Sequence, residues 1–160
     1  MQTVNIICIG KIKEKYWTDA IAEYRKRLSA FCKFNVVELD EEKAQGNPNT
    51  AQISSILSAE GRRILSKLSN NSYVIAMCIE GKQLSSPELS DRLADVALSG
   101  KSNVDFIIGG SWGLSDEVKA RADFKLSISK MTFPHQMARV ILSEQIYRAF
   151  EIQSNGKYHK

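Results

Sequence analysis

Residues 123–150 constrain this chain more than any other stretch. Phe124, Leu126 and Ile128 alternate with Lys125, Ser127 and Ser129, the period of a half-buried strand. A short turn over 130–134 follows. Then comes a helical run in which Met137, Val140, Ile141, Ile146, Tyr147, Ala149 and Phe150 cover much of the circumference. A helix apolar over so wide an arc needs cover on more than one side. In a chain of 160 residues, that cover calls for its own sheet and for a partner subunit. The turn carries Ser129, Lys130, Thr132 and His135. Open α/β sheets bind ligands just beyond the carboxyl ends of their strands, so this turn is where chemistry is expected.

The preceding chain alternates strand and helix. Residues 4–9, 34–39, 73–79 and 104–108 read as strands, the third nearly all apolar and so covered on both faces. Glu80-Gly81-Lys82 is expected to turn away from it. Trp17, Ile21, Tyr24, Leu28 and Phe31 recur at helical spacing, as do Ile53, Ile56, Leu57, Ile64, Leu65 and Leu68. Gly61 falls inside the second of these helices, a small cost that close packing would explain. Ser86-Pro87-Glu88 reads as a helix start with Ser86 as the cap, and Gly100 ends that helix. Ser115 caps a short helix opening with Asp116 and Glu117. The pattern predicts one domain over 1–160, of α/β class, with a mostly parallel sheet of about five strands and helices on both faces.

Composition excludes several classes. No apolar run approaches the roughly 20 residues that span a bilayer, and the first ten residues do not form a signal peptide. Cys8, Cys32 and Cys78 are odd in number and form no Cys-x-x-Cys, which fits a reduced cytoplasm without a zinc site or disulfide framework. The net charge of +4 permits a polyanionic partner without demanding one. Lys11, Lys13 and Lys15, near Arg25, Lys26 and Arg27, are either a solvated face or a phosphate-contacting edge.

Gly109-Gly110-Ser111-Trp112-Gly113 follows the fourth strand, where glycines let a backbone approach a ligand or turn tightly. It is not a dinucleotide fingerprint, and no phosphate-gripping Lys-Ser/Thr follows. The acids at 116 and 117 would repel a phosphate, so a ligand without one suits this loop. His135, at the junction of turn and helix, is a candidate proton acceptor. Tyr158, His159 and Lys160 give the tail an aromatic ring, a titratable group and a cation. A ring of that kind is what an exposed base stacks on. Glu144 and Arg148 stand four apart and read as a structural pair. Arg139 has no acid at the favoured spacing and is a candidate for an anion or base contact.

Three pieces together resemble one family: Phe-Ile-Ile-Gly-Gly-Ser-Trp-Gly-Leu-Ser at 106–115, Leu-Ser-Ile-Ser-Lys-Met-Thr-Phe-Pro-His-Gln-Met-Ala-Arg-Val at 126–140, and the terminal Tyr-His-Lys. The resemblance is to the ribosomal RNA large-subunit methyltransferase H type, a minimal SPOUT, or α/β-knot, methyltransferase, and covers essentially the whole chain. It implies a C-terminal trefoil knot, a homodimer, and S-adenosylmethionine bound by Met77, Gly109, Ile128, Ser129, Lys130, Met131, Thr132 and Phe133, with no metal. Met77 stands where leucine is usual in the family. The swap conserves volume. The implied reaction is methylation of N3 of a pseudouridine in helix 69 of 23S rRNA in the assembled 70S ribosome. His135, Arg139, Tyr158 and His159 would then be the catalytic group. Two other readings stay open: a nucleotide-dependent oxidoreductase, and a non-catalytic ribosome-binding factor on the same scaffold.

Overall fold

The computed structural model describes all 160 residues. Ten elements alternate: β1 (Thr3–Ile9), α1 (Lys15–Leu28), β2 (Lys33–Leu39), α2 (Thr50–Leu65), β3 (Tyr73–Gln83), α3 (Ser86–Leu98), β4 (Asn103–Ile108), α4 (Asp116–Arg121), β5 (Phe124–Ser127) and α5 (His135–Gln153). The five strands form one sheet in the order β2-β1-β4-β3-β5. Every pairing is parallel. All strand carboxyl ends therefore open on the same edge.

Strand periodicity splits the core into two layers. Val4, Ile6, Cys8, Ile75, Val104, Phe106 and Ile108 point to one side, where α1, α3 and α5 supply Leu28, Leu89, Leu93, Leu142, Ile146 and Phe150. Ile7, Ile9, Val74, Ala76 and Ile107 point to the other, against Ile64 of α2 and Val118 of α4. Each Val, Leu, Ile or Phe side chain taken fully out of water here contributes about 1.5–3 kcal/mol. On α5, Arg139, Leu142, Ser143, Ile146, Ala149 and Phe150 form the buried stripe. Met137, Val140, Ile141 and Tyr147 lie outside that stripe and are only half-buried.

Two local readings change. The chain does not turn away at Gly81: β3 runs on to Gln83. Leu126 of β5 registers against Met77 and again against Lys82, with the intervening residues bulged. Gly81 allows this, because a Cβ there would lie 2.7 Å from the Leu126 carbonyl carbon. The cap of α3 is Ser85 rather than Ser86. Its Oγ accepts the Glu88 amide at 3.2 Å, and the Glu88 carboxylate accepts the Ser85 amide at 2.6 Å. Ser86 instead donates to Gln145 of α5 at 2.5 Å.

Arg139 ties the two ends of the chain together. Nη1 donates to Glu38 Oε2 at 2.9 Å, and Nη2 donates to the Ile9 and Gly10 carbonyls at 2.9 and 3.0 Å. Gly10 has φ +92°, a conformation that suits glycine. No helix is long and apolar enough to cross a membrane.

Candidate active site

A pocket of about 350 Å3 opens at the carboxyl ends of β3, β4 and β5. Ligand pockets of a few hundred Å3 are usual for small molecules. Met77, Ile108, Leu114 and Leu126 give it apolar walls. The glycine turn closes one side. At Gly109 a Cβ would fall 2.4 Å from the Gly113 carbonyl oxygen, and Gly113 has φ +89°. The turn can exist only with glycine at these two places. The β5–α5 turn closes the opposite side and braces itself. Ser127 Oγ donates to the Ser129 carbonyl at 2.9 Å, and the Met131 amide donates to Ser129 Oγ at 3.1 Å.

Of the eight residues expected to hold the cofactor, seven line this pocket: Met77, Gly109, Ile128, Ser129, Met131, Thr132 and Phe133. Lys130, between them in sequence, does not line it and is exposed. Trp112, on the glycine turn, lines the pocket and is 44% exposed. His135 joins the wall at the start of α5. Burial first, and the Arg139 charge second, push its pKa below the ordinary value, with Glu41 opposing. The imidazole is thus neutral at pH 7 and free to take a proton.

Sequence reasoning missed three ionisable lining residues: Cys78, Glu80 and Lys119. Burial pushes the Cys78 thiol up, so it is not a thiolate nucleophile at neutral pH. Lys119 and Glu80 form an ion pair of 2.5 Å at the rim. The hydrogen bond from the ammonium holds the Glu80 carboxyl below its usual range. Glu80 follows the apolar run of β3, so its place where that run ends was a usable signal. Nothing in the acidic opening of α4 marks Lys119.

The other proposed catalytic residues lie elsewhere. Arg139 is 1% exposed and engaged in its clamp. Its charge acts on His135 without reaching the pocket. Tyr158 and His159 dock on the far part of α5. Tyr158 donates to Glu144 Oε1 at 2.9 Å, and Arg148 Nη2 donates to the same oxygen at 2.6 Å. The Arg148 guanidinium lies 4.6 Å from the Tyr158 ring centroid, and Arg148 Nη1 is 3.2 Å from His159 Nδ1. Glu144–Arg148 is thus more than a surface pair: it seats the tail. Burial raises the Tyr158 phenol above its ordinary pKa, so it stays a donor. At 1.5 Å of rise per residue, Arg148 stands about 20 Å along the helix from His135. One chain does not bring His135 and His159 together.

Lys11, Lys13 and Lys43 line a second, wholly polar pocket that His135 also borders, but Glu14, Asp40 and Glu41 line it too. Its charges are mixed, and of the six basic residues read as a solvated face or a phosphate-contacting edge only Lys11 and Lys13 line it. No group of three or more His, Cys, Asp and Glu side chains is arranged to hold a metal ion.

A family model described as "Predicted SPOUT methyltransferase" matches residues 1–159. The chain belongs to the SPOUT methyltransferase family. It is 54% identical over 157 residues to the ribosomal RNA large subunit methyltransferase H of Clostridioides difficile, covering 98% of this chain and 99% of that one. The protein of the same name from Clostridium novyi is also 54% identical over the same shares. Among solved structures, a probable methylase family protein from Haemophilus influenzae aligns with TM-score 0.54 at 15% identity, covering 99% of this chain and 71% of the other. That likeness concerns the fold alone.

Proposed function

We propose that this chain is a single S-adenosylmethionine-dependent methyltransferase domain, 1–160, working as a cytoplasmic homodimer on N3 of a pseudouridine in helix 69 of 23S rRNA within the 70S ribosome. The observation that carries this reading is the pocket. It gathers seven of the eight expected cofactor residues in a chain 54% identical to a ribosomal RNA large subunit methyltransferase H. The pocket also fits the donor chemically. Apolar walls suit an adenine, polar backbone at the glycine turn suits a ribose, and the acids at 116 and 117 disfavour phosphate. Leu126, gripped from both Met77 and Lys82, supports threading of the last strand and helix through the preceding loop.

S-adenosylmethionine supplies an electrophilic methyl group on a sulfonium. In the transfer, the S–CH3 bond breaks, an N–CH3 bond forms at N3, and the N3 proton leaves. The chain's part is to hold the two reactants in line, exclude water and take the proton. Neutral His135 is suited to that last role. Tyr158 and His159 belong to the same reaction only if a partner's tail reaches this pocket. The half-buried Met137, Ile141 and Tyr147 offer the apolar surface for such a pairing. Arg139 serves by setting the electrostatics of His135 rather than by touching the base.

The test is transfer of labelled methyl from S-adenosylmethionine to 70S ribosomes, 50S subunits and naked 23S rRNA prepared from cells lacking the modification. Label on 70S alone, mapped to a helix 69 pseudouridine, is the expected result. No label on any acceptor, with tight ribosome binding kept, would replace this reading with that of a binding factor.

A further inference from the structure

Helix α2 buries Ile56, Glu60, Gly61 and Ile64. The carboxylate is out of place on that core-facing stripe. Glu60 is 5% exposed. Its Oε2 accepts the Glu42 amide at 3.0 Å, which pins the β2–α2 loop. Its Oε1 is buried without a hydrogen-bond partner. No cation pairs with it. Arg63, the charge that acts on it most favourably, is engaged by the Glu42 carboxylate and the Asp40 carbonyl, while Glu41 and Glu42 act with the same sign. Burial raises its pKa above the ordinary carboxylate value, which favours the neutral acid. Nothing in the core packing requires so costly a group here.

What Glu60 faces is the glycine turn of the pocket. A Cβ on Gly110 would lie 3.4 and 3.5 Å from its two carboxylate oxygens. On the adjacent residue, a Cβ on Gly61 would lie 2.5 Å from the Oγ of Ser115, the cap of α4. Consecutive residues of α2 thus back both ends of the turn. We propose that Glu60 is a positioning residue for the cofactor site: its buried carboxyl group holds Gly110–Gly113 in the shape that accepts S-adenosylmethionine and couples that shape to the β2–α2 loop through Glu42. The identity of the ligand rests on the reading given under Proposed function; the support of the turn does not.

Trp112 reports on the turn directly, and Trp17 is the only other tryptophan. In a Trp17→Phe background, acrylamide quenching of Trp112 is measured without ligand, and the S-adenosylmethionine Kd is measured by calorimetry. Glu60→Ala should raise the quenching constant about twofold as the turn loosens, and the Kd about tenfold. Glu60→Gln keeps an acceptor for the Glu42 amide and should restore both. Glu60→Met, which keeps the volume without polar atoms, replaces the alanine variant if that one does not fold. Unchanged Trp112 quenching in Glu60→Ala and Glu60→Met would overturn the proposal, even with a lowered Tm. A parent that binds no S-adenosylmethionine would overturn the cofactor reading while leaving the quenching arm informative.

Discussion

At Arg139, a full positive charge sits 1% exposed against one carboxylate and two carbonyls. Its partners are the first strand, the turn after it and the second strand. Arg139→Ala takes the guanidinium from two carbonyls and from Glu38, which is exposed and keeps the Ile12 amide. It should cost about 1–3 kcal/mol, the range for leaving a buried acceptor without its donor. Chemical denaturation measures this, and a loss below about 1 kcal/mol, the level of an exposed pair, would dismiss the clamp. Sequence reasoning saw that Arg139 lacked an acid on its own helix, but Glu38 is 101 residues away. Local spacing has no access to a contact of that range. Gly109 was legible in the opposite way: glycines after a strand carry their own reason. Gly109→Ala drives a Cβ into the Gly113 carbonyl. It should weaken S-adenosylmethionine binding at least about tenfold, and calorimetry showing an unchanged Kd would contradict the cradle.

Among the elements, β3 and α3 show how far pattern goes. Alternation and apolar runs located every strand, because each strand carries its own burial signal. The true length of β3 was hidden. Glu80-Gly81-Lys82 looks like a turn when judged alone, yet β5 recruits it as an edge. Only the approach of Leu126 explains why Gly81 is needed. Gly81→Ala should cost about 1–3 kcal/mol by overpacking against backbone that cannot move aside, and an unchanged Tm would mean that the bulge relaxes freely. At α3, two serines compete for the cap, and taking Pro87 as the first helical position picked the wrong one. The capping box chooses Ser85 because Glu88 stands three residues on. Ser85→Ala should lower stability by about 1 kcal/mol. Equal stability of that variant and the parent would count against the assignment.

For the whole molecule, buried Glu60 and half-buried His135 pull the pH profile in opposite directions. His135 has its pKa lowered by folding, so its contribution is present above the unfolded value of 6.5 and is lost as pH falls. Glu60 has its pKa raised, so its contribution is present below the unfolded value of 4.5 and is lost as pH rises through the folded one. Tm measured against pH should therefore show Glu60→Gln gaining on the parent as pH increases above 4.5; parallel curves would refute the assignment. Assembly has its own test. If the tail works in trans, an equal mixture of His135→Ala chains with chains truncated after 156 forms mixed dimers holding one intact site. Random pairing predicts about a quarter of parental methyl transfer, whereas no recovery would return the tail to its own chain. The Arg139 clamp has a consequence for synthesis as well. The contact that neutralises Glu38 comes from a residue made 101 positions later, and its partner carbonyls lie still further upstream. Until α5 emerges, the Ile9 and Gly10 carbonyls lack the guanidinium and the sheet keeps an uncovered apolar face. A chain stopped before α5 should therefore be cut by protease faster than the finished one.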